Sequence, residues 1–387
     1  MKSLSIARKI IPLGLALIGA VEAHAYVLWT ASPTQGTRVF KTIDIEDSND
    51  NYQSNPSPNG SSVTTVTDSS DGLSWQFYKA VNDKRCEAHG AAGINPAIGD
   101  TYYIGWNFKV NSTVTDNAIF QWKAYGSPLD QNFPVVLKCV NGDLQLHYYG
   151  NGVTDNLLWS QAISTDTWYH AVIEISVSDQ WTGGSISMWF NGTQVVNGYV
   201  GRTFDGTSVD PKWGIYGATA TQVTDLVNNL VIGTAYADVS GGATLPSGTW
   251  ELQNEASGLV LNNQGSTSEG TAITQWRQES SSNLEWSFTS SGCQHGFYQM
   301  VSAKSSLDAV VAGASITSGA GIVQWAFGTS GNDQWQAVKN SDGSYTFINF
   351  NSGLALEDPG SSTSDSTQMQ QGVPNGGSNQ CWNLVSP

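Results

Sequence analysis

The chain reads as an all-β protein in two domains, and three observations carry that expectation. Glycine is abundant (41 of 387 residues), charge is sparse (12%), and Thr, Val, Trp and Tyr are plentiful. That composition suits short strands and tight turns. Turn-bounded runs rich in β-branched and aromatic residues succeed one another up to about residue 240. From about 247 to the C-terminus the chain then repeats itself three times, with closing tryptophans at 286, 335 and 382, which is the mark of a repeat architecture.

The N-terminus reads as a secretory leader. Lys2, Arg8 and Lys9 form a positive end, Ile10 to Ala20 an apolar stretch too short to span a bilayer, and Ala23-His24-Ala25 a small-x-small cleavage site. The expected boundaries are a signal peptide at 1–25, a first domain at 26–240, a linker at 241–248 and a second domain at 249–387. A secreted, extracellular setting permits disulfides. Cys86 and Cys139 lie in the first domain, Cys293 and Cys381 in the second; three pairings are open and one bridge per domain is the simplest. The spacings do not suit zinc. Sequons at Asn59, Asn111 and Asn191 fit a glycoprotein.

In the first domain, strand signals run at 102–110, 118–125, 135–140, 144–149, 168–177, 185–190 and 227–236. Asn141-Gly142 and Asn191-Gly192 supply hairpin turns. Period-two alternation then sorts side chains by face. Arg85 shares a face with His89, Gln121 with Lys123 and Tyr125, Gln145 with His147 and Tyr149, and Lys212 with Tyr216. These rows hold amides, cations, His and Tyr, and almost no carboxylates. Glycoside hydrolysis needs two facing carboxylates. No strand shows Glu-x-Asp-x-Glu; Glu46 and Asp47 read as a loop-like acidic stretch, and Glu174 as isolated. β-Elimination on a uronic acid has other needs: a group that neutralises the sugar carboxylate, a base for the C5 proton and an acid for the departing O4.

The C-terminal units share a pattern. The first runs Ser257-Gly258-Leu259, Gln275-Trp276 and Asn283-Leu284-Glu285-Trp286. The second runs Ser305-Ser306-Leu307, Gln324-Trp325 and Asn332-Asp333-Gln334-Trp335. The third runs Ser352-Gly353-Leu354, Gln370-Gln371 and Asn379-Gln380-Cys381-Trp382. Three such units with a closing Asn-x-x-Trp resemble the ricin B lectins. That resemblance implies a β-trefoil with the closing tryptophans in its core, and sugar contacts from an early Asp, a mid-unit ring and the late Asn. The second unit keeps the whole set in Asp308, Trp325 and Asn332. The first keeps Trp276 and Asn283 but has Val260 at the Asp position, and the third has Ala355 there and Gln371 in place of the ring. Asp333 stands where the family usually has Gln.

For the first domain, Gly201-Arg202-Thr203-Phe204 followed by Pro211-Lys212-Trp213-Gly214-Ile215-Tyr216 resembles the late strand of jelly-roll polysaccharide lyases, whose alginate-cleaving members carry Lys-x-Gly-x-Tyr. The likeness is strongest to fungal glucuronan lyases and covers most of residues 26–240. It implies a concanavalin A-like β-jelly roll with a concave cleft. It also implies Tyr216 as base and acid, since H5 and O4 of a β-1,4-glucuronate leave from one side. A free phenol ionises near pH ~10, so Lys212 is expected to favour its phenolate. Gln121 would bind the substrate carboxylate, with His89 sharing that role or assisting the base. Arg85, Lys123 and Arg202 would hold flanking carboxylates. Lys123 stands where many alginate lyases have His, and Gly217 follows Tyr216 where a polar subsite residue is expected.

The expectation is a secreted lyase of a glucuronan-like polysaccharide, anchored on cell-wall glycans by the trefoil. A non-catalytic two-domain lectin and a glycoside hydrolase are the alternatives. Formal net charge is −16. The leader holds three cations and one anion, so the mature chain carries −18, which argues against nucleic acid and anionic membranes as partners. No cofactor is required by the chemistry, though the resemblance admits a structural calcium. A monomer is expected.

Overall fold

The computed structural model describes residues 27–150, 154–242, 245–290, 297–328, 330–340 and 342–387. The expected leader and Cys293 lie outside them. The described chain is strand throughout, save one helical turn at Tyr236–Val239 and short 3-10 turns. None of these helices is long and apolar enough to cross a membrane.

Residues 27–233 form two antiparallel eight-stranded sheets packed face to face, a jelly-roll sandwich. The front sheet runs in the order Asp155–Ala162, Asp143–Tyr149, Val135–Val140, Asn117–Tyr125, Ser208–Tyr216, Asp83–Ala91, Phe40–Asp47 and Tyr52–Gln53. Its turns are the expected ones: Asn141 and Gly142 both take positive φ (52° and 93°) between the third and second of these strands, the geometry that matches strand twist in a two-residue hairpin.

The core between the sheets is aromatic. Trp75, Trp106 and Phe108 come from the back sheet, Phe120, Trp122 and Trp213 from the front, all fully buried. Trp106 stacks on Phe120 at 5.0 Å and Trp29 on Trp213 at 5.5 Å. On the front strands every second side chain enters this core, so the polar residues between them are driven to the opposite, solvent-facing side.

Cys86 and Cys139 overturn the expected bridge. They sit on the Asp83–Ala91 and Val135–Val140 strands, with two strands between them, so roughly 14 Å of sheet separates them. Both are buried free thiols in the core. Cys381 is also buried; its expected partner is outside the described residues.

From Thr249 onwards twelve short strands form a closed three-fold unit, the β-trefoil. Trp286, Trp335 and Trp382 fill its centre. Each indole nitrogen donates to the carbonyl of an equivalent residue, Leu261, Ala309 and Leu356, at 3.1, 2.8 and 3.2 Å. The trefoil docks on the sandwich through Val338, Ile348 and Ala355 against Val27, Val172 and Val231, with Gln35 donating to the Ser352 carbonyl at 2.6 Å.

Candidate functional site

The solvent-facing side of the front sheet gathers the residues that alternation singled out. Register places Tyr216 beside Arg85, and Lys212 between His89 and Gln121. An irregularity between Trp213 and Tyr216 is built on Gly214, whose φ is 119°. A side chain there would meet the Cys86 carbonyl at 2.4 Å and the Phe77 ring at 2.7 Å. Glycine is therefore required, and the irregularity sets where Tyr216 leaves the strand.

Tyr216 and Gln121 line one groove of about 540 Å³, together with Ala118, Phe133, Val136, Lys138 and Tyr149. The Arg85 guanidinium lies 4.8 Å from the Tyr216 ring centroid and Lys84 lies at 5.9 Å. Across the groove the Lys138 ammonium donates to the Tyr149 hydroxyl at 2.8 Å. Burial pushes the Tyr149 phenol up despite that lysine. Gln121, only 4% exposed, donates from Nε2 to Glu87 at 2.6 Å.

Lys212 stands apart from the role expected of it. It is 1% exposed and pairs with Glu87 at 2.9 Å and Asp44 at 3.0 Å. Burial opposes its charge, but Glu87 and then Asp44 outweigh burial and raise its pKa. Its ammonium is spent on these two acids, and Tyr216 lies four residues away, roughly 13 Å along the strand. Arg85, and farther out Lys84, are the cations over the phenol ring.

His89 is also displaced from Tyr216. Its nitrogens lie 3.3 Å from both Asp44 and Asp210, and its ring stacks on Tyr125 at 4.7 Å. Burial opposes its protonation, yet the hydrogen bonds to Asp210 and Asp44 raise its pKa. It is held between two acids rather than beside the phenol. Lys123 lies over the Tyr125 ring at 5.0 Å and donates to the Ala124 carbonyl and Asn132; burial, then Lys212 and Arg85, push it down to about 8. Arg202 does not line the groove. It pairs with Asp205 at 3.1 Å, bonds Gln131, and covers Trp181 at 4.0 Å.

The face also holds acids, two of which, Glu87 and Asp210, stand in the alternating rows of Arg85 and His89 and of Lys212. Glu46 and Asp44 belong to the Phe40–Asp47 strand, not to a loop, and Glu87 and Asp210 join them. Glu46 pairs with Arg85. Burial opposes the ionisation of Asp44, but hydrogen bonds from His89 and charge from Lys212 keep its carboxyl below the usual range. All four acids are committed to cations or amides, so the face does not present the two open carboxyls that hydrolysis needs. Lys138, the other residue the sequence did not mark, shows its role only once register sets it beside Tyr149. Among the described residues no group of three His, Cys, Asp or Glu is placed to hold a metal.

In the trefoil the second unit is open. Asp308 lies opposite Trp325, and Trp325 and Phe327 are 49% and 46% exposed. With Gly313, Asn332 and Asp333 they line a groove of about 880 Å³. Phe327 was legible as the second ring of Trp-Ala-Phe. In the first unit Arg277 lies 5.6 Å from the Trp276 centroid, and Asn283 donates to Asn262 at 3.0 Å.

The third unit corrects the alignment by one residue. Ala355 pairs with Gly372, as Asp308 pairs with Trp325, so Gly372 takes the ring position. Gln371 instead matches Gln275 and Gln324. The three amides accept from Ser352, Ser257 and Ser305 at 2.7, 2.8 and 2.8 Å. A side chain at 372 would meet the Glu357 carboxylate at 1.9 Å. Glu357 fills that space and accepts from Gln370 and Gln380, each at 2.7 Å.

Comparison with known proteins agrees with this division. The family profile "Polysaccharide lyase" matches residues 29–229, and "Ricin-type beta-trefoil lectin domain-like" matches 236–325 and 331–387. No curated protein matches the chain. Among solved structures, the endo-beta-1,4-glucuronan lyase from the fungus Trichoderma reesei is 17% identical, over 52% of this chain and 98% of that one, with a TM-score of 0.39. The designed three-fold symmetric protein ThreeFoil is 32% identical over 36% of this chain and 99% of its own (TM-score 0.35). The Rhizoctonia solani agglutinin is 22% identical over 38% and 99% (TM-score 0.34).

Proposed function

From a chain that belongs to the polysaccharide lyase family and carries a ricin-type trefoil, we propose a secreted enzyme that cleaves a glucuronan-like polyuronate by β-elimination at the front-sheet groove. The observation that carries this reading is the joint placement of the Tyr216 phenol and the Gln121 amide in one groove, with Arg85 against the phenol ring.

In this reading a uronate lies along the groove with its carboxylate toward Gln121 and Arg85. Gln121 gives one N–H to Glu87 and has a second for the substrate. Neutralising the carboxylate makes the C5 proton acidic. Tyr216, as phenolate, takes that proton; the C5–H pair forms the C4–C5 double bond, and the C4–O4 bond breaks. The phenol then returns its proton to O4 of the leaving chain, so one residue serves as base and acid. Arg85, 4.8 Å from the phenol ring centroid, sets a positive charge beside Tyr216. Lys138, held at Tyr149, offers a cation for a neighbouring uronate. The second trefoil unit holds the same polymer or its wall partners and so raises local substrate concentration.

Incubation with glucuronan, alginate and a neutral glucan tests this reading. Ultraviolet absorbance of the unsaturated uronate is expected to rise on a uronan and to stay flat on the neutral glucan. A flat trace on every uronan overturns the lyase reading of this groove.

A further inference from the structure

Tyr52 is the most exposed large apolar side chain among the described residues, at 67%. A lone exposed ring needs no explanation by itself; its place does. Tyr52 opens the two-residue edge strand of the front sheet and pairs with Glu46. Glu46 pairs with Arg85, Arg85 with Tyr216, Tyr216 with Ala118, and Ala118 with Lys138. Residues opposite one another across a sheet put their side chains on the same face. One row of side chains therefore crosses the solvent face, from the exposed ring at the sheet edge, past the Tyr216 phenol, to Lys138 in the wall of the groove.

Glu46 is the acid in this row, and it is 5% exposed and paired with Arg85. An acidic polymer lying along the row therefore meets the cations Arg85, Lys84 and Lys138 rather than an open carboxylate. The backbone under the Tyr52 ring is also fixed. The Asp47 carboxylate accepts from the Asn49 and Asn51 backbone amides at 2.8 and 3.0 Å and from the Gln53 side chain at 3.1 Å. Asp50, in the same turn, pairs with Lys84. A ring carried on a turn that is ordered beforehand loses little freedom on binding. Three strand spacings, roughly 14 Å, separate Tyr52 from Tyr216.

We infer that Tyr52 is a distal sugar platform of the Tyr216 groove: the polyuronate crosses the front sheet along this row, and a sugar well away from the cut lays its C–H face on the Tyr52 ring. The inference rests on the reading of that groove as a uronan site. The apolar C–H face of a sugar stacks on an aromatic ring while its hydroxyls and carboxylate stay in water. Tyr52 thus adds affinity without meeting the reacting atoms, and it reads chain length. In a trisaccharide cut at Tyr216, no more than two sugars extend toward the edge strand, and they stop short of the ring. In a hexasaccharide further sugars reach it.

The test compares the full chain with its Tyr52 variants on glucuronan trisaccharide and hexasaccharide, with thermal unfolding recorded for each. Tyr52→Ala is expected to raise KM on the hexasaccharide about three- to tenfold. Its kcat, and both constants on the trisaccharide, should stay at the parent values, as for the loss of binding that ground state and transition state share. Tyr52→Trp should keep the parent KM. An equal change on both lengths, or none on the hexasaccharide, overturns the platform; so does a rise in KM that tracks a lowered unfolding temperature. Calorimetric binding of the same oligomers separates this result from the lyase reading. If neither oligomer is cleaved but Tyr52→Ala weakens hexasaccharide binding alone, the elimination chemistry falls and the platform stands. If neither is cleaved and both proteins bind the hexasaccharide equally, the platform falls with it.

Discussion

Tyr216→Phe is expected to lower the rate of uronan cleavage by roughly three orders of magnitude or more, leaving substrate affinity within a few-fold of the parent. General acid–base groups each contribute about 10²–10⁴, and here a single oxygen serves both proton transfers. The substitution removes only that oxygen. The ring stays, so Arg85 keeps its face-on contact at 4.8 Å and the groove keeps its wall. Binding to a non-cleaved uronate oligomer, measured calorimetrically, separates the two effects. A variant that retains more than about a tenth of the parent rate shows that another residue moves the protons.

Lys212→Met is expected to cost about 3–5 kcal/mol of stability, measured by denaturant unfolding of the sandwich. The cost arises from what is left behind. Lys212 is the ammonium shared by Glu87 and Asp44, at 2.9 and 3.0 Å, in a site where it is 1% exposed. Methionine fits the volume but removes the nearest cation from both acids, leaving Glu87 only the more distant Arg85 at 3.7 Å and Asp44 only His89 at 3.3 Å. Glu87→Gln in the same chain should recover part of the loss, since a neutral amide still meets Gln121 and no longer requires the cation; the coupling is read from the double-mutant cycle. Activity loss in Lys212→Met should track unfolding. A stable Lys212→Met protein that is catalytically dead would return Lys212 to the chemical step.

The rows of functional side chains were legible because strands alternate with period two, and the trefoil because its closing tryptophans recur. Cross-strand neighbours were not legible, since register depends on bulges and distant pairings. Lys212 and Tyr216 share a face, yet the partners of Lys212 come from the Phe40–Asp47 and Asp83–Ala91 strands. Reading Glu46 as loop hid the strand that brings Glu46 and Asp44 to that face, whereas Glu87 and Asp210 stood in the alternating rows of Arg85 and Lys212. Arg202 sits beside a motif residue in sequence but folds onto Trp181 and Asp205. In the third trefoil unit, Gln371 was set one residue out of step. The deciding contact is the Ser352 hydroxyl on the amide, which joins residues 19 apart and leaves no local pattern.

The masses of the products from a defined glucuronan oligomer test the central claim most directly. Elimination breaks C4–O4 without consuming water, so the two product masses sum to that of the substrate, and the fragment from the non-reducing side of the cut is an ordinary saturated sugar. This is the result expected of the Tyr216 groove. Product masses that together exceed the substrate by one water would mean hydrolysis, and would contradict the account.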